Sequence, residues 1–139
     1  MLRTPHYLVD ANVLSEATKP SPELKVLEWL RANEAELAVD PIILGEIRFG
    51  IDRMPPGQRR KRLERWFAEG IENLVCLPMD AATGIRWAQL LARLRASGRA
   101  MPLKDSLIAA TSLAHGLTVA TRNTRDFQQA GVKVFDPFA

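Results

Sequence analysis

Apolar positions in the chain form short runs that alternate with longer stretches where apolar residues recur every three or four positions. The first run, Tyr7-Leu8-Val9, stops at Asp10 and predicts a buried strand. Asn12 to Glu16 then reads as a short helix stopped by Lys19-Pro20. Ser21-Pro22-Glu23 places a capping residue before a proline, so a helix is expected to start there, with Leu24, Leu27 and Leu30 at helical spacing and Trp29 beside them. Leu37-Ala38-Val39 predicts a second strand. Asp40-Pro41 opens a helix that runs to about Arg53 and is broken by Met54-Pro55-Pro56-Gly57. A basic amphipathic helix is expected over Gln58 to Ile71, and a third strand over Leu74 to Leu77.

The second half continues the alternation. Asp80 to Ser97 predicts a long helix with Ile85, Ala88, Leu91 and Leu94 on one stripe. Gly98 ends it, and Arg99 to Pro102 reads as a loop. The helix expected from Asp105 to His115 is apolar on most sides, which marks it as buried. Gly116 stops it. Leu117 to Ala120 is a fourth strand, Thr124 to Ala130 a short helix and Val132 to Phe135 a fifth strand. Strands separated by helices predict an α/β three-layer sandwich, a mostly parallel sheet of four to five strands with helices on both faces. No repeat, low-complexity tract or linker interrupts the pattern, so residues 1–139 are expected to form a single domain.

Composition narrows the function. The chain is 47% hydrophobic and 25% charged, which excludes wholesale disorder. A net charge of +3 and a pI of about 9.4 fit a polyanionic partner without requiring one. The lone Cys76 excludes an internal disulfide and a cysteine-based zinc or iron–sulfur site within one chain, and a reducing cytoplasm is the natural home, although a secreted protein without disulfides would look the same. The start of the chain is expected to carry no signal-peptide core, and no apolar run reaches the roughly 18 residues of a membrane helix. His6 and His115 match no metal motif, so metal chemistry would run on carboxylates.

Four acids map to the edge of the sheet where parallel strands end and ligands bind. Asp10 ends the first strand, and both a turn-forming and a functional reading fit it. Glu46 lies one turn into the helix after the second strand, among Ile42, Ile43, Phe49 and Gly50, where a carboxylate is costly unless paired or bound to a cation. Arg53 is its structural candidate partner. Asp105 opens the buried helix and reads first as an N-cap. Asp126 follows the fourth strand and reads first as a solvated loop acid, with Thr121 and Asn123 adding neutral polar groups nearby. Asp40 also ends a strand, but capping before Pro41 explains it and leaves it out of the site. Several carboxylates in one pocket repel, and divalent cations relieve that repulsion. All-oxygen ligation selects Mg²⁺, with Mn²⁺ as the alternative. Metal, carboxylates and a basic surface together point to phosphodiester hydrolysis.

Four segments carry a family resemblance. Tyr7-Leu8-Val9-Asp10-Ala11-Asn12-Val13-Leu14-Ser15-Glu16, Ile43-Leu44-Gly45-Glu46-Ile47-Arg48-Phe49-Gly50-Ile51, Pro102-Leu103-Lys104-Asp105-Ser106-Leu107-Ile108-Ala109-Ala110 and Thr121-Arg122-Asn123-Thr124-Arg125-Asp126-Phe127 follow one another over nearly the whole chain. Each is weak alone. Together, in this order, they resemble the PIN domain, and within it the VapC-like toxins of toxin–antitoxin pairs. The resemblance implies a Mg²⁺-dependent endoribonuclease with Asp10, Glu46, Asp105 and Asp126 as its acidic quartet. It implies Asn12, Thr121 and Asn123 as supports, a homodimer, an RNA substrate and a cognate antitoxin. Relatives often hold Ser or Thr where this chain reads Asp40-Pro41-Ile42-Ile43.

Arg122 and Arg125 sit beside the acids in sequence and are read as substrate-phosphate contacts. The basic run Arg59, Arg60, Lys61, Arg62 and Arg65 is either a solvated face paired with Glu64 and Glu69 or a docking face. Trp29, Trp66 and Trp87 read as packing or dimer contacts. Two competing functions stay open at this point. One is an aspartate-based phosphatase or phosphoryl-receiver domain using Asp10, and the other is a non-catalytic RNA-binding or partner-binding module.

Overall fold

In the computed structural model, which describes residues 4–139, the chain builds one five-stranded sheet in which every pairing is parallel. The strands are β1 (Tyr7–Val9), β2 (Leu37–Val39), β3 (Val75–Cys76), β4 (Thr118–Ala120) and β5 (Val134–Phe135), in spatial order β3-β2-β1-β4-β5. The helices are α1 (Ala11–Leu14), α2 (Leu24–Ala32), α3 (Pro41–Asp52), α4 (Gln58–Glu69), α5 (Ala81–Ala96), α6 (Leu103–His115) and α7 (Thr124–Gln129). Residues 1–3, part of the stretch read for a leader, lie outside the described residues. Among the described residues no helix is long and apolar enough to cross a membrane.

The topology explains where a site can form. From β1 the chain steps outward to β2 and β3, then crosses back to β4 and on to β5. Crossovers of constant right hand therefore put α1 to α4 on one face and α5 to α7 on the other. The reversal occurs between β1 and β4, and the crevice at a switch point opens beyond the carboxyl ends of its strands. Val9 pairs with Ala120, so the next residues out, Asp10 and Thr121, are neighbours. Leu8, Val9, Val39, Val119 and Ala120 are fully buried, as strands covered on both faces must be.

Several elements differ from the sequence reading. The helix expected from Ser21 starts at Leu24, with Glu23 at its N-cap. The backbone N–H of Glu23 donates to the carboxylate of Glu16 at 2.9 Å, so a tertiary bond takes over the capping region. Val26 is the buried residue of α2, while Leu24 is exposed. On α5 the inward positions are Thr83, Leu90 and Leu94, with Trp87 half-buried, whereas Ile85 and Ala88 face solvent. The expected stripe had the right period but the wrong phase in its first half. Helix α6 begins at Leu103 behind Pro102, two residues before Asp105, so Asp105 is not its cap. Trp29 packs edge-on against Tyr7, with ring centroids 5.0 Å apart, and Trp87 donates its indole N–H to Ser106 Oγ at 3.0 Å. Trp66 packs, half-buried, against the core.

Candidate active site

Asp10 is the centre of the switch-point edge. It is 5% exposed and caps α1, Oδ1 accepting the Ala11 N–H at 2.8 Å. Its Oδ2 accepts the Thr121 hydroxyl at 2.9 Å and the Asn12 amide at 3.3 Å. Asn12 also ties the two strand ends together, its Oδ1 accepting the Arg122 N–H at 3.2 Å. The residue two after Asp10 is thus an amide clamp rather than a second acid. Thr121 is fully buried, and its Oγ1 accepts the Asn123 N–H at 3.0 Å.

A second group forms around Asn123. Its side-chain amide donates to Asp105 Oδ2 at 3.1 Å and to Asp126 Oδ2 at 2.9 Å. One amide therefore holds together two carboxylates from α6 and α7. Asp105 lies in the first turn of α6, where the helix dipole favours negative charge, and its residue is 7% exposed. Glu46 projects from the middle of α3. The ammonium of Lys104, from the first turn of α6, lies 2.8 Å from Glu46 Oε1. Glu46 Oε2 is buried and has no hydrogen-bond partner. Sequence reasoning paired Glu46 with Arg53, but the guanidinium of Arg53 lies over the Phe49 ring at 5.6 Å. Lys104 is the partner that the sequence reading does not contain, although its place immediately before Asp105, in a helix that starts at this edge, signals it.

Electrostatics links these acids. The Asp10 carboxyl is pushed up to about 6, mainly by burial and further by the charges of Glu46 and Asp105, while the Thr121 and Ala11 bonds pull it down. The Asp105 carboxyl is raised by burial and by Asp126 and Glu46, against the pull of Lys104 and Asn123. The Lys104 ammonium is held above its ordinary range by its bond to Glu46, with Asp105 and Asp10 adding to the effect. The structure thus brings Asp10, Glu46, Asp105 and Asp126 into one field, with Asn12, Thr121 and Asn123 bonded among them.

The two arginines behave differently. Arg122 stacks on Phe138 near the carboxyl end of the chain, 4.4 Å from guanidinium carbon to ring centroid. Arg125 is exposed on α7. In the basic run, Arg60 lies 3.6 Å from Glu64, and Arg59, Lys61, Arg62 and Arg65 are exposed.

Among the described residues, no three ligand-type side chains are arranged to hold a metal ion as they stand. Their oxygens already face other protons: the Asn123 amide on Asp105 and Asp126, and the Lys104 ammonium on Glu46. The donor set nevertheless fits a hard cation. It is all oxygen, its charges repel one another, and Glu46 Oε2 is a buried acceptor without a donor.

The PIN domain family model matches residues 7–133. The plasmid stability protein StbB of Pseudomonas syringae pv. tomato is 40% identical over 136 residues, covering 94% of this chain and 97% of its own length. The VapC ribonuclease Y4jK of Sinorhizobium fredii is 38% identical, over 94% of this chain and 96% of its own. The crystal structure of FitAcB from Neisseria gonorrhoeae superimposes with a TM-score of 0.88 at 33% identity, covering 95% of this chain and 98% of that one.

Proposed function

The chain belongs to the PIN domain family, and from that premise we propose that it is a metal-dependent endoribonuclease, the toxin of a toxin–antitoxin pair. The observation that carries this reading is the shared field of Asp10, Glu46 and Asp105 at the switch point, with Asp126 bridged to Asp105 by one amide. Names of relatives such as VapC ribonuclease support it from the side of sequence.

Asp10, Glu46 and Asp105 are the carboxylates that would hold Mg²⁺ or, in its place, Mn²⁺, with Asp126 assisting. When bound, such an ion supplies positive charge that activates water and offsets charge building on the phosphate. Asn12 and Thr121 fix the orientation of Asp10. Asn123 sets the spacing of Asp105 and Asp126. Arg122 and Arg125, both exposed beside the cluster, would contact phosphates of the RNA. Water attacks phosphorus, and the bond from phosphorus to the leaving oxygen breaks.

The 139 residues are read as one PIN-like unit that works in the cytoplasm as a homodimer, restrained by a cognate antitoxin. The test is cleavage of total cellular RNA by the purified chain, freed of any antitoxin, with Mg²⁺, Mn²⁺ and EDTA compared and Asp10→Asn as control. Discrete fragments that require both metal and Asp10 are expected. Equal cleavage by a folded Asp10→Asn protein would overturn the assignment.

A further inference from the structure

Beside the acidic cluster, between α1, α3 and the start of α6, a cleft of about 390 Å³ opens onto solvent. Asn12, Glu46, Phe49, Gly50, Arg53 and Lys104 line it. Its volume falls within the range of clefts that take small ligands or single groups of larger ones. The two residues shared with the acidic site, Asn12 and Glu46, make the cleft continuous with the place where a phosphodiester would react.

Phe49 does not belong to the hydrophobic core. Its ring is 66% exposed, although Ile43, Ile47 and Ile51 on the same helix are buried. The guanidinium of Arg53 lies over its ring at 5.6 Å. Arg53, at the C-cap of α3, has no carboxylate in ion-pair reach among the described residues, unlike Arg48 within the helix. The cleft therefore offers an exposed aromatic ring with the Arg53 guanidinium over one of its faces, and the ammonium of Lys104, which pairs with Glu46 at 2.8 Å. A flat face binds any nucleobase by stacking, and cations bind the phosphates that accompany it. Arg53 is the cation in the cleft that no carboxylate of the described residues pairs, and a phosphate beside a stacked base would supply the missing negative charge.

From this juxtaposition we infer that the cleft is a nucleotide subsite for single-stranded RNA. Phe49 stacks the base of a nucleotide flanking the scissile phosphate, and Arg53 and Lys104 hold the backbone on either side of it. The inference rests on the nuclease reading and deepens it, because stacking on Phe49 selects unpaired RNA over duplex. Phe49 is a specificity-determining residue in this account and does no chemistry.

The experiment uses the full chain carrying Asp10→Asn, in Mg²⁺, with a mixed-sequence single-stranded RNA 12-mer. One version of the oligonucleotide is labelled with fluorescein and another contains 2-aminopurine. Adding Phe49→Ala is expected to weaken binding about 10-fold, within the range for losing one base stack. It should also abolish the quenching of 2-aminopurine, and Phe49→Trp should restore both. Arg53→Gln is expected to lower the salt dependence of binding by about one counterion. Because Phe49 is exposed, the unfolding midpoint should not move.

Unchanged RNA affinity and quenching in Phe49→Ala overturn the subsite, including the case where that variant loses a protein partner instead. If the Asp10-intact chain still cleaves RNA in a metal-dependent way, only the subsite has failed. If that chain neither binds nor cleaves RNA, the nuclease reading has failed and the subsite with it.

Discussion

Asp10 and Asp40 occupy matching positions at the ends of adjacent strands, and their fates differ. Both are buried, both follow a three-residue apolar strand, and both cap the helix that comes next. Asp40 accepts the Ile43 N–H at 2.9 Å and the Thr111 hydroxyl at 2.7 Å. Burial raises its carboxyl, hydrogen bonds pull it back, and no other acid contributes to the shift. Asp10 has a comparable set of hydrogen bonds, but Glu46 and Asp105 add their charges to its field. The order of the strands switches between β1 and β4, so Asp10 feels the charge of Asp105 at the start of α6, which does not act on Asp40. A strand-end aspartate becomes a site by its neighbours across the sheet, and remains a cap without them.

The strongest way to break this comparison is activity. Asp10→Asn is expected to reduce RNA cleavage on the order of 10³-fold, the scale of removing a group aimed at the reacting charge. Asp40→Asn, which keeps an acceptor for Ile43, should stay within a few-fold of wild type. Loss of cleavage in a folded Asp40→Asn protein would place Asp40 in the site after all.

Stability should invert the order. Asp40→Ala removes the cap on Ile43 and the short bond from Thr111, whose hydroxyl keeps Leu107 O and Met79 Sδ as weaker acceptors, at a cost of about 1–3 kcal/mol in denaturant unfolding. Added Mg²⁺ sharpens the contrast further. At about 100 times its Kd it should stabilise the wild type and Asp40→Asn by about 2.7 kcal/mol, and Asp10→Asn by little or nothing, as read by thermal unfolding.

The smallest effect concerns pH in the absence of metal. The folded carboxyl of Asp10 lies at about 6, above its ordinary value of 3.8. Between those values the folded chain holds a proton that the unfolded chain has released, so this group lowers stability as pH rises through the window. The penalty is complete above about 6 and absent below 3.8, and the shift sets its upper limit at about 3 kcal/mol. Asp10→Asn removes that penalty but forfeits part of three hydrogen bonds, each worth about 1 kcal/mol. A net gain of about 1 kcal/mol at pH 7 that turns into a net loss of about 1–2 kcal/mol near pH 4, where the hydrogen-bond cost remains and the penalty is nearly gone, is therefore expected from urea unfolding of the two proteins. A gain independent of pH would show that charge repulsion is not its source.

Much of this was legible in the chain. The apolar runs at Tyr7–Val9 and Leu37–Val39 became strands with those boundaries, because a strand buried on both faces leaves no room for polar residues. The breaks at Pro55-Pro56-Gly57 and Gly116 also fell where expected, and Gly116 takes the left-handed conformation, φ 65°, that ends α6. Helix phase was less legible. Ile85 belongs to an apolar period on α5, yet it faces solvent while Thr83 is buried, because the inward side is set by where α6 lies and not by the helix itself.

The sequence by itself determined the alternation of strands and helices, the oxygen-only chemistry of the acids and the order of the motifs, since these depend on local preference and residue type. Only the tertiary structure decided which acids share a field. It set Asp10 apart from Asp40, moved Asp105 from a cap into the first turn of α6, gave Glu46 the partner Lys104 in place of Arg53, and left Phe49 bare beside the site. Each of those outcomes depends on the distance between residues far apart in the chain, and strand order and helix docking create those distances.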